Sequence, residues 1–358
     1  MKIKRLLTIT VVLALLLNCL TFAFASNYED GIDFTEYVSK NAVSLAKSCD
    51  MESNSDYTVT GTHFLNKFGS EEGYTLVELS PRGFAIFDNY SGVLEELSLS
   101  EEMPYFFDDQ NDNYFAGPMN YCVKQGEKIV DVRTGYKYTD DDIDFIKKLE
   151  NKNKSSRSPF KGPVDPGQPN YTDVNMLSAS YFINLTGDND FGNNLNGTCT
   201  QLACAIMIGY YRYAVNPLFI TNPNYLGTNN GTSDAFHVHL QSWMGSSGVN
   251  LITAKTGIES YLASLYFTTP VVTLSSYGFS YVYSKVVDKV THDRPALISM
   301  SNSYNTSAPY NHTCVAYGYR IATLGSSTNI YYYVHTGLHD NPNEMWNYSW
   351  FYRALSID

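Results

Sequence analysis

The stretch Asn196-Gly197-Thr198-Cys199-Thr200-Gln201-Leu202-Ala203-Cys204-Ala205-Ile206-Met207-Ile208-Gly209-Tyr210-Tyr211-Arg212 decides how this chain is read. Asn196 and Gly197 break the backbone. From Cys199 onward, Leu202, Ala205, Ile206, Ile208 and Gly209 recur at spacings that bury a helix among other elements. Cys199 therefore falls in the first turn of a buried helix. Unpaired N–H groups and the positive dipole end favour a thiolate there, and the thiolate is the nucleophilic form of the side chain. Cys204 lies more than a turn further in, outside that field, and reads as a small core residue. A packed structural cysteine is the ordinary alternative for Cys199 too; a second segment favours the nucleophile.

That segment lies downstream. Arg294-Pro295-Ala296-Leu297-Ile298-Ser299-Met300 reads as a strand, a polar loop covers 301–311, and His312-Thr313-Cys314-Val315-Ala316-Tyr317-Gly318-Tyr319 reads as another strand. A third, Asn329-Ile330-Tyr331-Tyr332-Tyr333-Val334-His335, ends in Thr336-Gly337, and an apolar run over 350–355 closes the chain. His312 stands where the loop enters its strand, a position from which a ring can face a cleft. A helix bearing Cys, followed about 110 residues later by sheet strands bearing His, suits a Cys–His nucleophile pair.

Residues 170–358 resemble the papain-like cysteine proteases, most closely their streptopain-like secreted bacterial branch. The motifs that carry the resemblance are Gly197-Thr198-Cys199 with Ala203 and Ala205, the strand Pro295-Ala296-Leu297-Ile298, and His312-Thr313-Cys314-Val315 with Gly318-Tyr319. Val334-His335-Thr336-Gly337-Leu338 matches a Val-Asn-x-Gly-Trp motif in part: His335 stands in the place of the Asn and Leu338 in that of the Trp. The resemblance implies an α+β fold, with a Cys-bearing helix packed on an antiparallel His-bearing sheet, preceded by a small α+β pro-domain. It also implies a cysteine endopeptidase acting on protein or peptide substrates, with Cys199 as nucleophile and His312 as general base and then acid. His335 would orient His312, since a neutral imidazole nitrogen accepts a hydrogen bond, with Asp340, Asn341 and Asn343 as nearby alternatives. The Cys199 N–H and an upstream amide, Asn193, Asn189 or Asn184, would hold the oxyanion. The helix end and a His312 imidazolium are expected to depress the thiol pKa. The rival reading is a catalytically weak or inactive papain-like module that binds peptide or cell-wall ligands; an amidase or acyltransferase on the same fold is a third.

Upstream, charge divides the chain. Residues 26–145 hold 8 Lys and Arg against 24 Asp and Glu, whereas 170–358 hold 7 against 10. Between them, 146–162 carries six basic residues and one acid, followed by Gly162-Pro163-Val164-Asp165-Pro166-Gly167-Gln168-Pro169. A charged stretch running into Pro and Gly reads as an exposed linker, 146–169, open to proteolysis. The acidic region reads as α+β: a helical stripe over 34–46, then a meander of strands at 74–79, 83–87 and 93–97. It carries no catalytic spacing and resembles a propeptide in position, so it is expected to inhibit the region behind it. Cys49 and Cys122 are candidates for a disulfide in an oxidising compartment.

Residues 1–25 read as a secretory signal peptide. Lys2, Lys4 and Arg5 precede an apolar run over 6–20, and Ala23-Phe24-Ala25 supplies the small-x-small cleavage site. Asn18 before Cys19 argues against lipid attachment. The chain is thus expected to be secreted and extracellular, with no membrane partner after cleavage. A length of 358 residues suits about two domains. With 44% hydrophobic and 17% charged residues, wholesale disorder is excluded, and a net charge of −12 argues against a nucleic-acid partner. His237-Val238-His239 looks like a metal pair, but Phe236 and Leu240 around it suit ordinary packing and no third ligand is spaced nearby. No cofactor and no metal is expected.

Overall fold

The structure, a computed structural model, describes residues 33–50, 55–99, 103–105, 112–160, 170–174, 197–227, 232–265, 271–300, 312–324, 327–337 and 344–358. The expected signal segment and Asn184, Asn189, Asn193, Leu338, Asp340, Asn341 and Asn343 lie outside them. Among the described residues the chain builds six α-helices and one large sheet, a mixed α+β architecture.

Across the sheet the strands follow in the order β7 (Lys128–Asp131), β6 (Tyr121–Gln125), β5 (Asn113–Phe115), β1 (Thr58–Lys67), β2 (Ser70–Ser80), β3 (Phe84–Asp88) and β4 (Leu94–Ser98). Then come β13 (Glu344–Asn347), β12 (Ser327–His335), β11 (Thr313–Leu324), β10 (Ala296–Ser299), β14 (Arg353–Ile357) and β9 (Val272–Leu274). β8 (Asn170–Val174) pairs with the far half of β11, from Tyr319 to Thr323. Neighbours are antiparallel, apart from a short parallel contact between β1 and β5. The acidic meander and the His-bearing strands therefore form one sheet, joined where β4 pairs with β13: Ser98 opposite Glu344, Leu97 opposite Met345, Glu96 opposite Trp346.

Side-chain alternation carries two cores through this sheet. On one face lie Val77, Ala85, Phe87 and Leu97 from the first region, with Leu297, Val315, Tyr317, Tyr333 and Met345 from the second. On the other lie Leu76, Phe84 and Ile86, with Ile298, Cys314, Ala316, Val334 and Trp346. The first face is covered by α1 (Phe34–Cys49), α3 (Cys199–Ala214), α4 (Asp234–Met244) and α5 (Leu251–Ser264); α6 (Phe279–Val290) covers part of the second through Val282, Val286 and Val290. The expected helix over 34–46 is α1, which buries Val38, Ala42, Leu45, Ala46 and Cys49 along one stripe. Its end reaches across to β11 and β12, where Arg320 donates to the Ser48 hydroxyl at 2.7 Å and Cys49 lies 3.9 Å from the Tyr333 hydroxyl.

Two expectations fail here. Cys49 and Cys122 are not joined by a disulfide and lie in separate clusters, Cys122 3.8 Å from the Asn120 carbonyl in a small outer core under β6 and β7. The expected linker is also shorter than composition implies. Residues 140–155 form α2 (Asp140–Ser155), started by a reciprocal Thr139–Asp142 capping box and packed through Ile146, Leu149, Glu150 and Asn153. That is an i, i+3, i+4, i+7 stripe, hidden from hydropathy because two of its four residues are polar. The next residues are fastened as well. The Arg157 side chain is buried; it bonds Glu95 through both terminal nitrogens, reaches Asp88 at 3.3 Å and donates to the Ser349 hydroxyl at 3.1 Å. Glu95 also accepts from the Trp350 indole at 2.9 Å, so this one ion pair touches both regions. Phe160 closes the run, its N–H bonded to the Tyr90 carbonyl at 2.7 Å and its ring against Phe34 and Tyr37.

Removing one partner of a buried ion pair leaves the other charge uncompensated, so Arg157→Ala should cost about 3–5 kcal/mol in denaturant unfolding. Glu150 gives a pH signature. Burial pushes its carboxyl up to about 8, against the opposing pull of Lys67 and the Tyr74 hydroxyl. The folded chain then holds a proton that the unfolded chain releases near the ordinary 4.5, so stability falls as pH rises from about 4.5 to about 8. Glu150→Gln, which still accepts from Tyr74, should flatten that slope and raise stability at pH 8 by on the order of 1–3 kcal/mol. Unfolding curves at pH 5 and pH 8 check both.

Candidate active site

Gly197, with φ of +64°, turns the chain into α3, and Cys199 is the first residue of that helix. No acid lies in the first turn and the Thr198 side chain makes no cap bond, so the positive end of the helix is not neutralised by its own side chains. Every residue from Cys199 to Tyr211 is buried, which suits a helix held between the sheet and α4 with α5.

The start of α3 is bolted to the segment after α4. The Thr200 hydroxyl donates to the Val249 carbonyl at 2.8 Å, and the Gln201 amide donates to the carbonyls of Gly245 and Ser247 at 2.8 and 2.7 Å. On the other side Thr200 meets the sheet, its hydroxyl 3.0 Å from that of Thr313. The Cys199 thiol takes hydrogen bonds from the Thr313 backbone N–H and from Thr200. The candidate nucleophile is thereby brought to Thr313, the residue next to His312 and far from Cys199 in sequence.

His312 is 7% exposed and Cys199 8% exposed. The Nε2 of His312 lies 3.0 Å from the Thr336 carbonyl. A carbonyl only accepts, so Nε2 carries the proton and Nδ1 is left as the basic atom of the neutral ring. The Trp346 indole lies edge-on to the ring at 6.1 Å and takes part in its burial. Sequence reasoning looked for a shielding Trp at position 338, on the strand-end motif, whereas this one comes from β13, eight residues on. The scarcity of Trp, three in the chain, was the signal available.

His335, the last residue of β12, sits opposite Val315 and is 2% exposed. Its Nδ1 accepts the Gly337 N–H at 3.1 Å. With that lone pair engaged, a neutral His335 ring has only an N–H left and cannot accept from His312. The direct bond expected from the His335 ring is replaced by the Thr336 carbonyl. Gly337 is required at this turn: its φ is +80°, and a Cβ there would stand 2.8 Å from Leu202 of α3.

The expected depressed thiol pKa is also overturned. Burial pushes the Cys199 thiol up, and the hydrogen bonds from Thr313, Thr200 and its own N–H offset this only in part. Burial raises Cys204 and Cys314 too, and both sense Cys199 nearby. Cys204 is a core residue with no exposure, as its position in the helix implies.

The histidine pair of α4 does not converge. His239 stacks on Tyr225 at 4.7 Å and accepts from the Trp243 indole at 3.1 Å. His237 is half-buried, with its ring hydrogen-bonded to the carbonyl of Thr198, the residue before Cys199. Sequence alone treated it as packing; nothing local in His237-Val238-His239 signals that α4 would lie beside the start of α3.

No family model matches the sequence, and no curated protein matches it. Among solved structures the chain is similar to a fragment of prointerpain A from Prevotella intermedia, at 12% identity and a TM-score of 0.43, over 82% of this chain and 98% of that one.

Proposed function

We propose that this chain is a cysteine peptidase exported behind residues 1–25 and folded as a latent precursor, with Cys199 as nucleophile and His312 as general base and acid. The observation that carries the proposal is a helix-initial thiol held by the N–H of Thr313, the residue that follows a histidine whose proton is parked on the Thr336 carbonyl. In the opened site, Nδ1 of His312 takes the thiol proton. The thiolate adds to a peptide carbonyl carbon and the electron pair moves to the oxygen, facing the Cys199 N–H and an upstream Asn. Collapse expels the amine, which leaves with the proton from the imidazolium. Water then cleaves the thioester, giving its proton to His312 and restoring the thiol.

Latency rests on burial. A thiol 8% exposed and raised above its ordinary pKa is a weak nucleophile at neutral pH. The acidic region supplies half of the sheet behind it, and we assign residues 26–145 the role of a pro-domain that inhibits the site until the chain is cut. The packing of 146–160 favours a cut after Phe160 within the expected linker 146–169. The same burial favours the second reading, a non-catalytic module that binds peptide or cell-wall ligands.

Thiol labelling and turnover distinguish the two. In the uncut chain, alkylation of Cys199 by iodoacetamide should be slow at pH 7 and still climbing above pH 9; after a single cut between 161 and 169 it should speed up, with hydrolysis of an unfolded protein substrate. Cys199→Ser should abolish that hydrolysis with little change in stability, whereas Cys204→Ser should spare it and cost about 1–3 kcal/mol for a hydroxyl in the helix core. Fast labelling of the uncut chain at pH 6 would contradict latency. A cut chain that labels but never hydrolyses would leave the binding module.

A further inference from the structure

The peptide that joins Thr198 to Cys199 is held at both of its ends. Its carbonyl accepts the Leu202 N–H at 3.1 Å, the first bond of α3, and accepts a second bond from the His237 ring of α4. Its N–H is that of Cys199, which reaches the Cys199 thiol and is the backbone group expected to face the oxyanion. We propose that His237 is a positioning residue, which holds the Thr198–Cys199 peptide in the direction that aims the Cys199 N–H at the reacting carbonyl oxygen.

A trans peptide is planar, with its C=O and N–H pointing in opposite directions. A donor fixed on the oxygen therefore helps to fix the direction of the N–H. The local chain leaves much of this to tertiary contacts: Gly197 enters in the left-handed region and the Thr198 side chain makes no cap bond. His237 supplies such a contact from a rigid element. Phe236, Leu240 and Met244 of α4 are buried in the core, and Gly245 at its end accepts from the Gln201 amide of α3.

The tautomer of His237 follows from its two neighbours. The Gln241 amide nitrogen, one helical turn on, faces Nε2 at 3.5 Å and only donates, which makes Nε2 the bare nitrogen. Nδ1 then carries the proton that goes to the Thr198 carbonyl. Thr198 is 6% exposed, so this bond is shielded from water. Asparagine at 237 would place an amide N–H where Nδ1 stands, and leucine, of similar bulk, would place none. The inference rests on the Cys199 chemistry proposed above, so its test reads the peptide itself as well as turnover.

The chain has two Thr–Cys peptides, 198–199 and 313–314. With 13C at threonine carbonyls and 15N at cysteine nitrogens, the full chain should give two carbonyl signals correlated across the peptide bond. His237→Leu should shift that of Thr198 and leave that of Thr313, and His237→Asn should return it. Ring spectra of the parent should show His237 as the Nδ1–H tautomer. In the chain cut between 161 and 169, His237→Leu should lower kcat about tenfold, the rate equivalent of one hydrogen bond. KM and iodoacetamide alkylation of Cys199 should stay within about twofold, because alkylation develops no oxyanion. His237→Asn should restore kcat to within about twofold of the parent.

An Nε2–H ring in the parent, or a Thr198 signal unmoved in the leucine variant, would overturn the proposal. So would kcat, KM and alkylation deteriorating together, the mark of a merely structural role. If His237→Leu fails to fold, the parent tautomer and the asparagine variant decide. A Thr198 carbonyl that responds as expected in a cut chain that never turns over substrate would uphold the hold of His237 on the peptide and remove the peptidase.

Discussion

The antiparallel pairing of β4 with β13 is the constraint on which the rest of the molecule depends. Three residue pairs make the seam, yet through it two regions of very different charge become one sheet with two shared cores. β13 is held on its other side by β12, and β12 ends at His335, just before the Thr336 carbonyl that accepts from His312. Trp346, which faces the His312 ring, is itself a seam residue. The acidic region is therefore joined to the strands of the candidate site through the sheet itself. The Arg157–Glu95 ion pair, bonded in turn to Ser349 and Trp350, clamps the same junction from the end of the connecting segment.

Much of the fold is legible in the sequence because period and residue type encode it. The short strand-like runs at 74–79, 83–87 and 329–335 and the helix signal from Cys199 all correspond to elements. The seam was not legible. Edge pairing is made by backbone groups that every residue carries, and nothing in Leu97 or Met345 announces the other. α2 was read as part of a linker because its buried stripe includes Glu150 and Asn153, and a polar residue satisfied by a fold looks like a solvated one until the fold is known.

The candidate site divides in the same way. Cys199 and His312 could be singled out because a thiol at a helix start and an imidazole at a strand start are chemically distinctive. Their supporting groups could not, since the Thr313 N–H and the Thr336 carbonyl are main chain. The electrostatic forecast erred by weighing the helix end and omitting burial, which pushes the thiol the other way. Sequence registers the local field of a helix, whereas desolvation is a property of everything packed around it.

The seam also governs how the molecule comes into being. During synthesis β4 is complete about 250 residues before β13 exists, and contacts of that separation form slowly because loop closure must precede their reward. Throughout that interval the meander carries an open edge, the kind of surface on which chains aggregate. Glu95 and Glu96, adjacent on this edge strand, place two carboxylates where a stray strand would have to dock. Glu96 already has partners within its own region, the Tyr121 hydroxyl at 2.7 Å and the Met119 N–H at 3.3 Å. Glu95 still lacks the Trp350 indole, which arrives only after β13. Acids that sit buried in the finished sheet thus serve the nascent chain as gatekeepers, keeping the edge open for the one strand that brings the remaining hydrogen bonds with it.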